Sequence, residues 1–464
     1  MTGMVFSSIV FISFFLPATF LLHLILPGFK AKNWLLVAAS LLFYAYGEPV
    51  YVFLMIGSAF VNYAAARLIG ERKNRIVLAA AVILNIGLLV VFKYAAFLVS
   101  LVNTIPGIKL PVPQIALPIG ISFFTFQALS YVIDVYRGVN KAQKSFPKVL
   151  LYISFFPQLI AGPIVKYHDI EKEIDDRHAS SQDLHDGLRR FAAGLCKKVL
   201  IANTMAVAAD AVFGAGRAQI GSLSAWLGAL AYLFQIYFDF SGYSDMAIGM
   251  GRMFGFHFLE NFDHPYIAGS IRDFWRRWHI SLTGWFREYL YIPLGGNRKG
   301  RTRTIVNRII VFICTGIWHG ANLTFLLWGL YHGFLMLLEE ALPRVFSGGR
   351  IKRALLHLYT LIAVTVGFVM FRADTVGEGF FRIGRMFSGI DRNASSISLA
   401  CTQLTPLFLT AFAAAVICSF PVPERVRRLR GYETAADLLS AAGLVLCLLS
   451  LAGGAYNPFI YFRF

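Results

Sequence analysis

Apolar residues dominate the chain in long runs, and short polar or basic segments separate these runs from end to end. A helix needs about 20 consecutive apolar residues to cross the hydrocarbon core of a bilayer, so the runs predict about eleven or twelve crossings. No soluble domain interrupts the pattern. The predicted crossings are residues 5–26, 34–68 (with a break at Gly47 and Pro49), 76–102, 117–135, 191–213, 225–250, 305–319, 323–338, 354–371, 404–420 and 435–451.

One apolar segment is too short and too broken to cross. Residues 150–163 contain Pro157, Gly162 and Pro163. Proline removes a backbone donor, and irregular backbone at membrane depth must be shielded by protein. The segment is therefore interpreted as a re-entrant or interfacial element.

The loops carry the charge that predicts orientation. Basic residues cluster at 72–75, 137–148, 272–308, 344–353 and 425–430, whereas the loop at 103–116 carries only Lys109. Cytoplasmic loops are enriched in Lys and Arg, so this alternation predicts that both chain ends face outward. A single long crossing over residues 34–68 would reverse that parity.

The amino-acid composition agrees with a helical membrane protein. The 464 residues are 57% hydrophobic and 15% charged, which is more apolar surface than one soluble core can bury. The formal charge of +18 is split into short blocks between crossings, so it does not indicate nucleic-acid binding. We predict an all-α integral membrane protein, one polytopic domain over residues 1–464, with residues 5–26 retained as a span.

Cysteine usage adds no redox or metal chemistry. The five cysteines have no CxxC pattern and no metal-like spacing. We predict that they pack in the core and that the chain has no metal site.

The first polar cluster inside an apolar run reads YLFQIYFDFSGYSDMAIGMG. Gln235, Asp239 and Tyr243 repeat at helical spacing, so they share one face of a helix. Polar residues inside a membrane mark functional sites by default, but a seam of interhelical hydrogen bonds is the alternative for Asp239 and for Asp245.

The second cluster reads IRDFWRRWHISLTGWFREYLYIPLGGNRKG. Its alternating tryptophans and arginines are typical of a helix lying at the cytoplasmic interface, and that interpretation covers most of the arginines. It accounts less well for His279, for which interface packing and active-site lining both stay open. Arg276 and Arg277 are candidates to meet the phosphates of a nucleotide-like donor or of anionic lipid.

The third cluster reads TGIWHGANLTFLLWGLYHG. His319 follows the basic loop by about 11 residues, or roughly 16 Å of helix, which predicts a position near mid-membrane. An imidazole there can act as a general base, although a packed, hydrogen-bonded histidine is the alternative. For His332 and His357 packing is the favoured interpretation.

Together these segments resemble the membrane-bound O-acyltransferase family. The resemblance lies in the ordered set WRRWHISLT and GIWHGAN, with LPIGISFFTFQALSYVIDVYRG and QIYFDFSGYSDMAIGMGRMFGF upstream and NPFIYFRF at the end, and it covers nearly the whole chain. It implies a ring of helices around a central funnel or tunnel, His319 as the catalytic residue and His279 as a second histidine of the site. The tunnel residues expected from the motifs are Gln235, Asp239, Tyr243, Trp275, Arg276, Arg277, Trp278, Trp318 and Asn322.

The same resemblance gives a role to the C-terminal tail, residues 457–464, which the orientation places outside. Phe459, Tyr461 and Phe464 match an F-x-Y-x-x-F pattern found in a small partner peptide of teichoic acid D-alanylation. It implies Tyr461 as an acyl carrier, and an aromatic interface anchor is the alternative.

The expected reaction uses acetyl-CoA as donor substrate and no permanently bound cofactor. Acetyl would move from the cytoplasm, through Tyr461 or directly, for O-acetylation of a cell-wall or exopolysaccharide outside the bacterial cytoplasmic membrane. The expected partners are an extracytoplasmic acetyltransferase or acyl-relay protein, a polysaccharide acceptor reached through it, and the bilayer. The alternatives are D-alanyl transfer from a carrier protein to teichoic acid, and a polysaccharide or lipid transporter without acyl transfer.

Overall fold

The computed structural model describes residues 4–342, 349–454 and 456–457, and in this part of the chain all regular secondary structure is helical, with no β-strand. The helices are α1 (Leu16–Ile25), α2 (Gly28–Gly47), α3 (Tyr51–Arg72), α4 (Arg75–Leu89), α5 (Ala95–Val102), α6 (Ile121–Arg137), α7 (Phe146–Ser154), α8 (Phe156–Leu159), α9 (Tyr167–Asp175), α10 (Ser181–Cys196), α11 (Asn203–Phe213), α12 (Ser222–Met253), α13 (Ile271–Arg277), α14 (Ile280–Phe286), α15 (Gly300–His319), α16 (Leu323–Ala341), α17 (Arg350–Arg372), α18 (Val376–Met386), α19 (Ala394–Gln403), α20 (Pro406–Cys418), α21 (Glu424–Arg427) and α22 (Tyr432–Ala452).

Several of these helices are long and apolar enough to cross a bilayer, which confirms an all-α integral membrane protein. Among the described residues there are 6, or 7 if the bent pair α19 and α20 forms one span. This is fewer than the predicted number, because the long apolar runs divide into shorter pieces. The run at 5–26, for example, yields an apolar helix over only Phe11–Ile25.

The segment at 150–163 forms two short helices, α7 and α8, joined at Phe155. They have 9 and 4 residues, and a helix of 9 residues is only about 14 Å long. Neither helix is long enough to cross, in agreement with the interpretation of this segment.

Two compact units divide the chain. The first comprises Met1–Phe191 and Tyr243–Leu259. Its core is rich in phenylalanine: Phe43 packs edge-on against Phe11 at 5.6 Å between ring centroids. In this unit Arg190 of α10 binds Asp245 of α12 at 2.8 Å, so an ion pair joins these two helices.

The second unit comprises Ala192–Gly242 and Glu260–Phe464. Its core contains three tryptophans, Trp275, Trp278 and Trp328, among apolar side chains of α12 and α17. α15 and α16 pack closely within it, because Gly316 and Gly329 leave room for the opposite backbone: a Cβ at Gly316 would clash with the carbonyl oxygen of Phe325, and one at Gly329 with that of Phe312.

The cysteines do not all pack in the core as predicted. Cys447 is buried, but Cys401 and Cys418 are exposed. Cys401 lies in α19 and Cys418 at the end of α20, on faces that no other described residue covers. A free thiol behaves as a small apolar group, so such exposure is tolerated in an apolar setting.

Candidate active site

His279 occupies a strained turn between two short helices, α13 and α14. Its backbone lies in the left-handed region, with φ of 45°, which is uncommon for a residue with a Cβ and concentrates at functional sites. Asn261 holds the turn in place: its backbone carbonyl oxygen accepts from the backbone N–H of Ile280 at 2.9 Å. The side chain of His279 is only 1% exposed.

The Asn261 side chain also fixes the tautomer of His279. The Oδ1 atom accepts from the backbone N–H of Ser281 at 3.2 Å and from its hydroxyl at 2.8 Å. Because an oxygen cannot donate, the Nδ1 of His279, at 3.1 Å from the same Oδ1, must carry the proton. In the neutral ring Nε2 then presents a lone pair.

The ring of His279 is neutral at physiological pH. His279 lies outside the candidate membrane-spanning helices. Burial lowers the pKa of His279 well below its ordinary value, and the neighbouring His319 lowers the pKa further. The site therefore holds a neutral base and no fixed cation at this position.

His319 is the last residue of α15, and an aromatic cage surrounds it. Trp318, Trp328 and Phe371 contact its ring, with centroid distances of 5.1, 5.1 and 5.2 Å. The centroid of the His279 ring lies 6.4 Å from that of His319. Both predicted histidines thus converge on one buried site, where His319 is 7% exposed.

A cavity of about 540 Å³ opens beside this cage, lined by Phe325 and Phe371, with Asn322 and Asp210 among its polar residues. Phe371 contacts both His319 and Phe325, the latter at 4.7 Å between ring centroids. The cavity therefore reaches within one side chain of His319. It adjoins the loop that follows α17, on the side that the loop charges predict to be outside.

The predicted tunnel residue Asn322 caps α16 at the mouth of this cavity. Its Oδ1 accepts from the backbone N–H of Thr324 at 3.2 Å, and its Nδ2 donates to the carbonyl oxygen of Asp374 at 2.8 Å. The cap fixes the turn that follows His319.

The predicted polar face of α12 is buried in the second unit as far as Asp239. Asp239 forms an ion pair of 2.7 Å with Lys198, and both side chains are 2% exposed. Lys198 lies in a single π-helical turn, Lys197–Ala202, that joins α10 to α11. Sequence reasoning missed Lys198, although two adjacent lysines inside an apolar run were a usable signal. Gln235, one turn before Asp239, is also buried.

Of the predicted tryptophans, Trp318 lines the site and the other two pack around it. Trp275 contacts Trp328 at 5.6 Å between ring centroids, and Trp278 stacks on Phe274 at 5.4 Å. His332 is fully buried among these rings, 5.2 Å from Trp328, which agrees with packing.

The two predicted arginines differ. Arg277 is paired with Asp263 at 3.0 Å and with Asp273 at 3.2 Å, so its charge is already balanced. Arg276 is exposed and has no ion pair within the part of the chain that the structure describes.

Tyr243 belongs to the first unit, where its ring stacks on Phe6 at 4.3 Å. Tyr461 lies outside the described residues. The residues just before it are held in the second unit: the hydroxyl of Tyr456 donates to Asp210 at 2.8 Å, and Asn457 accepts from Asn203 at 3.1 Å. Asn203 in turn accepts from Lys198 at 2.9 Å.

No cluster of three or more His, Cys, Asp or Glu side chains that could hold a metal ion occurs among the residues described. The candidate site instead combines two buried imidazoles with aromatic walls. Such an arrangement suits proton transfer in a water-poor setting.

The chain belongs to the membrane-bound O-acyltransferase family, which it matches over residues 135–371. Both histidines fall within the matched region, and the chain is an O-acyltransferase embedded in a membrane by several helices.

Curated relatives extend the similarity beyond the matched region. The probable alginate O-acetylase of Pseudomonas putida is 39% identical over 99% of this chain and 100% of its own length. The peptidoglycan O-acetyltransferase of Helicobacter pylori is 38% identical over 80% of this chain and 78% of its own. The teichoic acid D-alanyltransferase of Bacillus subtilis is 30% identical over 47% of this chain and 58% of its own.

Proposed function

We propose that this chain moves an acetyl group from cytoplasmic acetyl-CoA to a hydroxyl on the outer side of the bacterial cytoplasmic membrane, for O-acetylation of an extracytoplasmic polysaccharide. The observation that carries the proposal is the convergence of His279 and His319, 6.4 Å apart between ring centroids, beside a cavity of about 540 Å³. A buried pair of imidazoles next to an acceptor-sized opening suits acyl transfer.

The proposed chemistry is attack of a hydroxyl oxygen on the carbonyl carbon of the thioester. His319 takes the hydroxyl proton as general base while the C–O bond forms. The C–S bond then breaks, and the leaving thiolate takes up a proton to give the free thiol. The aromatic cage of Trp318, Trp328 and Phe371 excludes water that would otherwise hydrolyse the thioester.

The negative charge that develops on the carbonyl oxygen of the thioester needs a hydrogen-bond donor. The tautomer of His279 determines whether this histidine can be that donor. Its Nδ1–H is committed to Asn261, so Nε2 is an acceptor in the neutral ring. Stabilisation of an oxyanion by His279 would require a second proton, which burial opposes. A backbone N–H or the indole N–H of Trp328, which has no acceptor among the described residues, is a better candidate donor.

On the donor side, Arg276 supports recognition of phosphate. It is exposed at the end of α13 in the basic segment 272–308, which positive-inside loop charge predicts to be cytoplasmic. Arg277 is committed to Asp263 and Asp273. We therefore assign the phosphate contact to Arg276 and a structural contact to Arg277.

We further propose that Tyr461 is the first hydroxyl acceptor. The anchoring of Tyr456 on Asp210 supports this, because Asp210 lines the cavity beside His319. Four peptide units separate Asn457 from Tyr461, and an extended chain covers at most about 3.6 Å for each, or roughly 14 Å. A separate outer transferase would then pass the acetyl group from the tyrosine to a sugar.

The relatives support the proposed class of acceptor. Proteins named for alginate and for peptidoglycan O-acetylation align over most of this chain, which favours a polysaccharide and acetyl. D-alanyl transfer is the second candidate, since a teichoic acid D-alanyltransferase aligns over about half of the chain.

The test is mass spectrometry of the purified full-length protein after incubation with isotope-labelled acetyl-CoA, together with measurement of released thiol. Wild type should carry label on the C-terminal peptide. His319→Gln should lower the labelling rate by about a hundred- to ten-thousand-fold. His357→Gln is the matched control, because His357 contacts a backbone carbonyl oxygen outside the cage.

The remaining outcomes separate the alternatives. Tyr461→Phe should abolish the label, and acetyl transfer to polysaccharide that survives this change would contradict the relay but not the acyl transfer. Label that appears only with a D-alanyl carrier protein would replace acetyl by D-alanine. Polysaccharide export that is unaffected by His319→Gln, with no thiol released by wild type, would favour a transporter.

A further inference from the structure

A second cavity lies in the first unit, away from the histidine pair. It has a volume of about 380 Å³ and lies between the C-terminal end of α1, the start of α2 and the connection from α9 to α10. Phe20, Phe29 and Leu184 form apolar walls, whereas Lys32, Arg177 and His178 bring cationic or titratable groups. Apolar walls with a basic floor suit an amphiphilic anion.

Arg177 is the central cation of this cavity. It is 6% exposed, its Nη1 donates to Asn33 at 2.6 Å and its Nε donates to the carbonyl oxygen of Phe254 at 3.1 Å. Its Nη2 has no hydrogen-bond partner among the described residues. The charge is held in place without a carboxylate, since Arg177 has no ion pair in the described part of the chain.

Arg177 stays charged at neutral pH. Burial lowers the pKa of Arg177 to about 10, and Glu173 opposes that fall. The Glu173 carboxylate is itself engaged by His257, at 2.8 Å from Nδ1. The guanidinium carbon lies 4.6 Å from the centroid of the Phe256 ring, but no carboxylate pairs with it in the described part of the chain. A buried charge without a counter-ion is costly, and an anionic ligand would offset that cost.

A second buried polar side chain lines the same cavity. His23 is 5% exposed, and neither of its ring nitrogens has a hydrogen-bond partner among the described residues. Buried polar groups are normally satisfied, so two polar side chains without protein partners in one cavity point to a polar ligand. Of the other residues that line the cavity, His178 is exposed and lies 3.5 Å from Asp176.

The surroundings favour a ligand with an acyl chain. Leu21, Leu24 and Ile25 of α1 are exposed, at 57%, 56% and 76%, and they continue the apolar wall along the helix. Lys30 and Lys32 lie at the start of α2, directly after the predicted crossing 5–26. With the N-terminal end outside, this side of the crossing is predicted to be cytoplasmic, where anionic lipids concentrate.

We propose that this cavity binds the phosphate headgroup of an anionic phospholipid, with Arg177 and Lys32 on the phosphate and an acyl chain along α1. The site is independent of the acyl-transfer proposal, and its occupant is a structural or regulatory lipid. A soluble phosphate compound shares the phosphate chemistry but not the acyl chain.

The experiment is native mass spectrometry of the delipidated full-length protein titrated with dioleoyl phosphatidylglycerol or dioleoyl phosphatidylcholine. Lys32→Gln should weaken phosphatidylglycerol binding about fivefold, the effect of one basic residue near an anionic headgroup. Lys30→Gln is the matched control, because Lys30 is exposed on the same helix, has the same charge and does not line the cavity. Wild-type affinity for Lys30→Gln supports a specific contact.

Three results would overturn the proposal. The first is equal weakening by Lys32→Gln and Lys30→Gln, and the second is equal affinity for the zwitterionic and the anionic lipid. The third is displacement of the lipid by soluble adenosine 3′,5′-bisphosphate, which would assign the cavity to a water-soluble phosphate. Arg177→Lys, checked for folding by its thermal transition, should also weaken phosphatidylglycerol binding, since the single ammonium nitrogen of lysine cannot replace both the contacts to Asn33 and Phe254 and the unpartnered Nη2.

Discussion

At the scale of single residues, Asn261 determines what His279 can do. Its side-chain oxygen faces three hydrogen-bond donors and holds the left-handed turn at His279. We expect Asn261→Ala to cost about 1–3 kcal/mol of stability, because buried donors lose their acceptor. Acetyl transfer should fall by about a hundredfold if the ring shifts by roughly 1 Å.

The substitution Asn261→Asp separates the effect on stability from the effect on acetyl transfer. The carboxylate keeps the acceptor oxygen, so the turn and the thermal transition should be preserved better than in Asn261→Ala. It also favours protonation of His279, and a positive charge 6.4 Å from the ring of His319 opposes proton uptake by that general base, so acetyl transfer should fall at neutral pH and recover as pH rises. Full activity of Asn261→Ala in a folded protein would remove Asn261 from the site.

The histidines could be predicted from the sequence, whereas their supports could not. His279 and His319 stand in recognisable motifs, and the structure brings their rings together. Asn261 lies 18 positions before His279, in a loop without a motif, and only the folded turn joins them. Lys198 reaches Asp239 because a π-helical turn aims it there, and hydropathy does not encode such a turn.

At the scale of helices, the close approach of α15 and α16 sets the position of His319. Gly316 lies one turn before His319, and a Cβ there would clash with the carbonyl oxygen of Phe325. We expect Gly316→Ala to separate the helices and cost about 1–3 kcal/mol. The acetyl-transfer rate of the folded fraction should fall as well, because the cage contacts of His319 come from α16 and α17.

Gly384→Ala is the control for this substitution. Gly384 lies in α18 of the same unit, and a Cβ there would meet nothing within 4 Å. Alanine is the better helix former by about 1 kcal/mol, so the thermal transition should stay or rise. If Gly384→Ala lowered the thermal transition as much as Gly316→Ala, the loss of stability in Gly316→Ala would not come from the contact between α15 and α16.

The apolar runs of the sequence predicted where the chain is helical better than they predicted where a helix breaks. The predicted crossing at 225–250 lies within α12, and the run at 191–213 falls within the continuous helical stretch Ser181–Phe213. The run at 404–420 corresponds to α20 alone, and the chain bends by 75° between α19 and α20. Proline at the start of α20 marks this break, but the angle depends on packing.

At the scale of the whole molecule, the C-terminal tail is joined to the second unit through Asp210. This carboxylate accepts from the Tyr456 hydroxyl at 2.8 Å and pairs with Arg372 at 2.7 Å. We expect Tyr456→Phe to lower the initial labelling rate of the C-terminal peptide about fivefold, from the loss of roughly 1 kcal/mol of hydrogen bonding. Carboxypeptidase should also remove the tail faster.

Tyr46→Phe serves as the control, since Tyr46 is exposed in the first unit. Digestion gives a reading that does not depend on the acyl relay. Wild-type rates of both labelling and digestion in Tyr456→Phe would mean that Asp210 does not hold the tail.

A histidine bridge in the first unit is expected to make the stability of the protein depend on pH. His257 bridges Glu173 at 2.8 Å and Asp183 at 3.2 Å. Partial burial lowers the pKa of His257, but the hydrogen bonds to the two carboxylates outweigh it, so the pKa is raised above 6.5. A group whose pKa is raised in the folded state contributes its full stabilisation at pH values below its pKa in the unfolded state. That stabilisation is lost as pH rises through the pKa of the folded state.

We therefore expect the melting temperature to fall between pH 6 and pH 8.5 in wild type and to fall less in His257→Gln. His178→Gln, which removes an exposed histidine of the same unit, should keep the wild-type pH dependence. A parallel pH profile for wild type and His257→Gln would exclude the bridge as its source.

The anchored tail has a kinetic consequence if Tyr461 is the acceptor. A tyrosine tied a few residues from Asn457, itself bound to Asn203, is presented at an effective concentration in the millimolar range set by a short tether. Loading would then be a unimolecular event, and its rate would not change when the enzyme is diluted. A detached tail peptide would have to reach comparable concentrations to restore a truncated chain.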